Sequence, residues 1–255
     1  MPDIFHLYSD LAWLWPLWGE AAVEYAPYDD FVARLILEHA RRPVRTLLDI
    51  GCGGGKNIFN LKTRFQVAGL DASPVMLEQA RHLNPECEFF QDDMRTFRLP
   101  RVFDAVLMDD AISHMNTRAD FTAAFRAAAD HLDPGGVLVA TADVTAETFR
   151  QNHTVCTPAS GPTAQGPVEV TFIENHYDPD PADDQFEATL IYLIRQNGRL
   201  RMETDRWRLG LFPMDVWRKT LAEAGLSVRE TAYADGDSVY PVFVCRKPAP
   251  DESAP

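Results

Sequence analysis

Hydrophobic and polar positions follow two different periodicities along this chain. From Val44 to about Thr141, short apolar runs alternate with stretches of helical periodicity, which is typical of parallel strands joined by helices. Later runs alternate at every second residue, which indicates strands with one buried face. These runs are Val168 to Tyr177, Gln185 to Arg195 and Leu200 to Leu209. The pattern predicts an α/β fold: a doubly wound, mostly parallel sheet with an antiparallel insert of three strands.

Turn-forming residues divide the chain further. Asn197-Gly198 joins the last two alternating runs, which is a strong hairpin signal. Residues 152–167 are rich in Thr, Pro and Gly and predict a loop. A helix from Met214 to Ala224, ended by Gly225, precedes two more strands. The predicted regions are an N-terminal helical lid (1–43), a core (44–151 and 210–247), an insert (152–209) and a disordered tail (248–255).

The strand Leu47–Ile50 runs directly into the glycine-rich turn Gly51-Cys52-Gly53-Gly54-Gly55. Glycines let a backbone approach a bound nucleoside because no Cβ intervenes. A dinucleotide fingerprint needs a glycine where this chain has Lys56, and a P-loop needs Ser or Thr in place of Asn57. The remaining pattern has an acidic residue two positions before the first glycine, here Asp49, which can face an ammonium group.

Further acidic residues follow the next strands. Asp71 ends the second strand, twenty residues past Gly51, where a carboxylate can accept both hydroxyls of a ribose. Asp93 follows the third strand and Asp109 follows the fourth. Because the carboxyl ends of parallel strands meet at one edge of the sheet, these carboxylates are expected to converge there.

Taken in order, these motifs resemble the class I S-adenosylmethionine (SAM) methyltransferases, and more narrowly the branch of the glycine N-methyltransferases and dTDP-aminosugar N,N-dimethyltransferases. The narrower resemblance rests on Gln91-Asp92-Asp93-Met94-Arg95, on His114 five residues past Asp109, and on Leu211-Phe212. The chain departs from the branch at Gln91, usually glycine, and at Trp207, often histidine. The resemblance therefore does not identify the methyl acceptor of this chain.

The resemblance implies a Rossmann-like sheet of seven strands with the β insert over the active site. It implies SAM as cofactor, S-adenosylhomocysteine as its product, and no metal. The residues that it assigns to the cofactor are Asp49, Gly51, Cys52, Gly53, Asp71, Ala72, Met76, Asp93, Met94, Met108 and Asp109.

Methyl transfer from a sulfonium depends mainly on holding the acceptor's lone pair in line, so few acid or base groups are needed. His114 is the predicted catalytic group, because an unperturbed pKa of about 6.5 suits proton acceptance at neutral pH. The alternative is that His114 only packs at the end of the fourth strand. Tyr8 and Tyr25 resemble tyrosines of the family's N-terminal segment; Tyr8 is predicted to be catalytic and Tyr25 to bind the acceptor.

Periodicity in the insert predicts further acceptor contacts. From Leu200, even positions place Arg206 and Arg208 on one face with apolar side chains. His176 likewise shares a face with Val168 and its apolar neighbours. These three charged or titratable residues are predicted to bind the acceptor; the alternative is a change of register that leaves them in solvent.

Composition limits the partners. A net charge of -14 and a pI near 4.8 disfavour nucleic acid and anionic membranes. The four cysteines lack C-x-x-C spacing, which argues against zinc or a disulfide framework and favours a reduced cytoplasm. The apolar stretch Leu11–Trp18 is too short to span a bilayer.

The sequence leaves several functions open. N-methylation of a small polar molecule is the first. O-methylation of a carboxylate or hydroxyl, or a SAM-dependent cyclisation, would use the same fold. A SAM-binding sensor or partner subunit without turnover is the alternative of another class. The unpaired edge of the insert predicts a homodimer.

Overall fold

The computed structural model describes residues 5–163 and 166–249, so the predicted disordered tail lies outside the described residues from residue 250 onward. The helices are α1 Ala26–His39, α2 Lys56–Leu61, α3 Pro74–Leu83, α4 Arg118–Asp130 and α5 Met214–Glu223. The strands are β1 Thr46–Ile50, β2 Gln66–Asp71, β3 Glu88–Gln91, β4 Phe103–Met108, β5 Leu132–Thr141, β6 His153–Thr163, β7 Gly166–Tyr177, β8 Gln185–Gln196, β9 Arg199–Gly210, β10 Ser227–Asp235 and β11 Ser238–Arg246.

Seven strands form the main sheet in the order β10-β11-β5-β4-β1-β2-β3. The five strands from β5 to β3 are parallel, whereas β11 and β10 are antiparallel to their neighbours. Every residue of β4 is buried, because helices cover both faces of the sheet. The predicted Rossmann-like fold is confirmed. The winding reverses between β1 and β4, so their carboxyl ends form the crevice in which such sheets bind ligands.

The insert is a separate antiparallel sheet in the order β6-β7-β8-β9. The hairpin at Asn197-Gly198 is confirmed, with φ of 52° and 73° that fit a type I′ turn. The predicted loop at 152–167 is wrong, because β6 occupies most of it and the insert has four strands rather than three. As an exposed edge strand, β6 needs no apolar alternation and tolerates Pro158 and Pro162.

The N-terminal segment, residues 5–25, lies between the main sheet and the insert. It forms 3₁₀ turns at His6–Tyr8 and Ala12–Leu17 and a π-helical turn at Ala21–Tyr25. Its buried Leu7, Leu11 and Leu14 pack in one hydrophobic cluster with the inward face of the insert. Within the predicted helical lid (1–43), residues 5–25 thus form short turns, and α1 covers Ala26–His39. No helix within the described part of the chain has the length and apolar character needed to cross a membrane.

Candidate active site

The glycine turn after β1 is held tightly against β2. The backbone N–H groups of Gly51 and Cys52 both donate to the Leu70 carbonyl, at 2.7 and 3.0 Å. Gly51 has a φ of 77°, and a Cβ added there would lie 2.3 Å from Cβ of Ala111. Only glycine satisfies both the left-handed backbone and this close approach.

Asp49 is the buried carboxylate of this turn. It is 1% exposed, and its Oδ2 has no hydrogen-bond partner among the described residues. Burial raises the pKa of Asp49, and the nearby carboxylates Asp109 and Asp71 raise it further. An unsatisfied carboxylate oxygen in such a place is suited to a cationic ligand group, such as the ammonium of SAM.

Asp71 joins two loops at the end of β2. Its Oδ2 accepts from the Gly53 N–H and its Oδ1 from the Ser73 N–H, both at 2.8 Å. Each carboxylate oxygen has a second lone pair, so the geometry fits the ribose role predicted for Asp71. Met76 is buried, with its Cε 3.5 Å from a Cβ added at Gly53. Ala72, which was also predicted to contact the cofactor, is exposed at the surface.

Asp93 and Met94 lie at the edge of this crevice. Arg95 donates from Nε to Asp93 Oδ1 at 2.9 Å and from Nη1 to Asp120 at 3.2 Å. Hydrogen bonding from Arg95 lowers the pKa of Asp93. The Cε of Met94 lies 3.3 Å from a Cβ added at Gly51, so Met94 borders the glycine turn. The cofactor contacts of both residues stay a prediction.

Asp109 follows β4 and accepts hydrogen bonds from two side chains, neither of which was predicted to be a site residue. It accepts from the Tyr28 hydroxyl at 2.8 Å and from the Asn57 side-chain amide at 3.1 Å. The Tyr28 hydroxyl also lies 2.5 Å from Oγ1 of Thr141. The preceding Met108, predicted to bind the cofactor, has its side chain fully buried in the main hydrophobic core.

Tyr8 and His114, the two predicted catalytic residues, are brought together. Oη of Tyr8 lies 3.3 Å from Nε2 of His114, and the Tyr8 ring stacks on Trp207 at 5.1 Å between centroids. Phe5 packs against His114 at 5.0 Å. Trp207, a departure from the family in sequence, belongs to this aromatic group, since its ring contacts both Tyr8 and His114.

The pKa expected for His114, about 6.5 as for a free imidazole, is wrong. Burial lowers the pKa of His114 to about 4, and its Nδ1 has no hydrogen-bond partner among the described residues. The imidazole is therefore neutral at pH 7. A neutral ring bonded to Tyr8 is better suited to positioning a ligand than to storing a proton.

Three carboxylates lie close to one another near the ends of β4, β5 and β7. Asp110 and Asp143 follow the neighbouring strands β4 and β5, and Glu174 lies on the inward face of β7. Although the Asp143 side chain is exposed to solvent, the protein atoms around it, and then Glu174, raise the pKa of Asp143 to about 6. In the same way, the protein atoms around the exposed Asp110, and then Asp143, raise the pKa of Asp110. Asp143 was not predicted to be a site residue. It follows the parallel strand β5 much as Asp109 follows β4, and this position could have identified it.

His176 is placed on the inward face of the insert, as predicted. Its Nε2 lies 2.7 Å from Oε1 of Glu174, and its ring packs on Phe186 at 5.0 Å. His176 also lowers the pKa of Asp143. It therefore belongs to the same polar group as the carboxylates, and its contact with an acceptor stays a prediction.

The inward orientation predicted for Arg206 and Arg208 is wrong. Their side chains are 70% and 64% exposed and lie 3.9 and 4.0 Å from Glu187 on the outer face. The buried positions of β9 are instead the odd ones, Asp205, Trp207 and Leu209. The prediction assumed that the apolar Leu200 and Met202 mark the buried face of β9. Both lie near the exposed hairpin tip and are not packed.

Tyr25 and Trp18 lie in the N-terminal segment and contact other parts of the protein. The Tyr25 ring faces Lys56, whose Nζ is 5.2 Å from its centroid. Trp18 stacks on Phe172 of the insert at 4.7 Å. Cys52 and the other three cysteines are free. Within the described ranges, no group of three or more His, Cys, Asp or Glu residues is placed to hold a metal ion.

Comparison with known proteins gives matches over most of the chain. Residues 47–136 match the family described as a methyltransferase domain. A dTDP-3-amino-3,6-dideoxy-alpha-D-glucopyranose N,N-dimethyltransferase of Streptomyces fradiae is 32% identical over 203 residues, which cover 77% of this chain and 75% of that protein.

Two solved structures extend the likeness to the insert. The sugar N-methyltransferase KedS8 of Streptoalloteichus superposes with a TM-score of 0.80 at 27% identity, covering 97% of this chain and 95% of that one. CalS10 of Micromonospora echinaspora, an amino pentose methyltransferase solved with SAM bound, superposes with a TM-score of 0.75 at 26% identity, covering 88% and 92%. The similarity is thus not confined to the glycine turn.

Proposed function

The chain belongs to the class I SAM-dependent methyltransferases, in the branch of the dTDP-aminosugar N,N-dimethyltransferases, and we propose that its acceptor is the amine of a small amino sugar in natural-product biosynthesis. It is an enzyme that methylates a small molecule. The choice of an amino sugar rests on its relatives: that of S. fradiae acts on a dTDP-amino sugar, and CalS10 on an amino pentose.

The single observation that carries the cofactor assignment is the unsatisfied buried Oδ2 of Asp49 beside the glycine turn. Asp49 would receive the ammonium of SAM, Asp71 the ribose hydroxyls, and the Asp93-Met94 segment the adenine. When bound, SAM supplies a methyl group already activated on a sulfonium. The chain's own task is to align the acceptor amine and to exclude water.

The carboxylates favour a cationic acceptor. Asp110, Asp143 and Glu174 lie near one another, with His176 as the neighbour of opposite charge when protonated. Such a group attracts an amine and repels a carboxylate substrate, which argues against carboxylate O-methylation. A carboxyl whose pKa is about 6, as in Asp143, also suits acceptance of the amine's proton near neutral pH. In this proposal His114 and Tyr8 position the amine.

Calorimetry tests the cofactor assignment. We expect SAM and S-adenosylhomocysteine to bind at low micromolar affinity, and Asp71→Ala to weaken both equally by about 1–3 kcal/mol, because the ribose is unchanged by methyl transfer. Asp30→Ala, which removes an exposed carboxylate paired with Arg64, is the matched control. Binding of NAD without a response to SAM would refute the assignment.

Turnover tests the acceptor. Amino sugars, free and nucleotide-linked, should be methylated on nitrogen, and the matching hydroxy sugars should not react. Tight SAM binding without methylation of any amine in such a panel would favour the alternative of a SAM-binding protein without turnover.

We also propose a homodimer in a reducing cytoplasm. Both outer strands of the insert, β6 and β9, present backbone edges that a second copy would cover. The four free cysteines suit a reducing compartment. Light scattering that finds a single 28.7 kDa species over a wide concentration range would contradict the dimer.

A further inference from the structure

Lys56, which stands where a dinucleotide-binding loop would have its third glycine, has an unusual environment. The residue is 6% exposed. Its ammonium donates to the Trp15 carbonyl at 2.9 Å and to the Trp18 carbonyl. It also lies over the rings of Trp15 and Tyr25, 4.9 and 5.2 Å from their centroids. Across the described ranges, no carboxylate forms a salt bridge with it.

These partners all belong to the N-terminal segment. Burying an ammonium costs several kcal/mol unless hydrogen bonds and nearby π faces compensate. Burial lowers the pKa of Lys56 to about 8, so Lys56 is still charged in most molecules at pH 7. The buried charge is therefore stabilised only while the N-terminal segment is packed on the glycine turn.

The same segment covers the place where the cofactor is proposed to bind. A Cβ added at Gly54 would lie 2.6 Å from Cδ1 of Trp15, so the indole rests directly on the turn. The Oδ2 of Asp49 behind the turn is not accessible to water. A ligand can reach that oxygen only if the surrounding chain moves, and the N-terminal segment is one of the elements that pack on the turn, through the Trp15 indole.

The segment also carries Tyr8. Oγ of Ser73 donates to the Tyr8 carbonyl at 2.7 Å, and Nε2 of Gln79 donates to the Ala12 carbonyl at 2.6 Å. Both donors lie in the stretch that follows the ribose residue Asp71. The position of Tyr8 beside His114 therefore depends on the same closed arrangement that buries Lys56.

We propose that Lys56 is a positioning residue that holds the N-terminal segment closed over the glycine turn, and thereby controls cofactor exchange and seats Tyr8 beside His114. The identity of the exchanging ligand rests on the proposed function; the closure itself does not. Lys56 touches neither reacting atom, so its effect is expected in exchange rates before it appears in the chemical step.

Lys56→Met tests this, because it removes the charge and keeps the length of an apolar stem. Without ligand, we expect amide hydrogen exchange across residues 5–25 to accelerate about 10- to 100-fold, as for the loss of charge-assisted hydrogen bonds. The dissociation rate of S-adenosylhomocysteine should rise by a similar factor. Lys62→Met is the matched control, because Lys62 lies at the end of the same helix and pairs with Glu86 at 2.8 Å.

Trp15→Leu provides a second variant in case Lys56→Met does not fold. It keeps the carbonyl that accepts from Lys56 and removes one ring, so we expect the same changes at smaller size. Unchanged exchange across residues 5–25 together with an unchanged dissociation rate, in either folded variant, would overturn the proposal. Faster exchange in Lys56→Met with a wild type that binds no SAM would sustain the closure and refute the proposed function instead.

Discussion

The two halves of the candidate site are built in different ways. The cofactor half, Asp49, Gly51–Gly55, Asp71 and Asp109, comes from the ends of three parallel strands of one sheet. The acceptor half joins Tyr8, His114, Asp143, Glu174 and Trp207, which come from the N-terminal segment, two loops of the core and two strands of the insert.

The bonds differ as well. In the cofactor half, Asp71 accepts from the Gly53 N–H at 2.8 Å, and the N–H groups of the glycine turn donate to the Leu70 carbonyl, so the backbone defines much of the geometry. In the acceptor half, Tyr8, His114 and Trp207 meet through side-chain contacts alone. A backbone-defined site fails when the backbone is strained, whereas a side-chain site fails when one side chain moves.

The cofactor half should therefore be disrupted most by a change to its backbone. Gly51→Ala places a Cβ 2.3 Å from that of Ala111 at a φ of 77°. We expect the free energy of unfolding to fall by about 2–4 kcal/mol, from strain and overpacking together, and SAM binding to be lost. Gly198→Ala is the control, because it has a φ of 73° but open space around it. Equal losses in both variants, measured by denaturant unfolding, would mean that crowding at Gly51 does not matter.

The acceptor half should respond in rate rather than in stability. His114→Ala should lower kcat about 100-fold by misplacing the acceptor, with SAM affinity nearly unchanged, and His114→Asn should recover part of the loss. Because the pKa of His114 is about 4, a kinetic limb near pH 6 should persist in the variant and reflect carboxyls such as Asp143. His82→Ala, at an exposed position of α3, is the control. Loss of the limb near pH 6 from the pH–rate profile of His114→Ala would mean that His114 is the general base after all.

The contribution of Asp29, which lies near the cofactor half, to the free energy of unfolding should depend on pH. Asp29 is buried, accepts from Asn60 at 2.7 Å, and has a pKa raised to about 8 by burial. A raised carboxyl pKa stabilises the folded state at low pH, and that stability is lost as the pH rises through the folded pKa. Between pH 5.5 and 8, the unfolding free energy of Asp29→Asn should therefore gain about 1 kcal/mol per pH unit relative to wild type. A difference independent of pH would mean that Asp29 is ionised in the fold.

The smallest effect is expected on the outer face of the insert. Arg206→Ala and Arg208→Ala should change stability by less than about 0.5 kcal/mol and the KM for the acceptor by less than about twofold, because both side chains lie in solvent. Steady-state kinetics checks this. A tenfold rise in KM would extend the acceptor half to the outer face.

The features that could be predicted from the sequence are those set by local structure. The glycine turn, the fully buried β4 and the hairpin at Asn197-Gly198 each carry their signal within a few residues. Prediction failed at β6, which was expected to be a loop because an edge strand makes few packing demands on its residues. The assignment of Arg206 failed for a related reason, since apolar residues at a hairpin tip need not mark the buried face.

Periodicity and backbone conformation are local properties, so the sequence alone predicts the parallel sheet, the turn that needs glycines and the order of carboxylates at strand ends. Long-range packing sets three other features: His114 is neutral, Trp207 stacks on Tyr8, and Lys56 is buried under the N-terminal segment. Those outcomes depend on how far water is excluded by segments distant along the chain. Desolvation is a property of the assembled fold, and no short stretch of sequence specifies it.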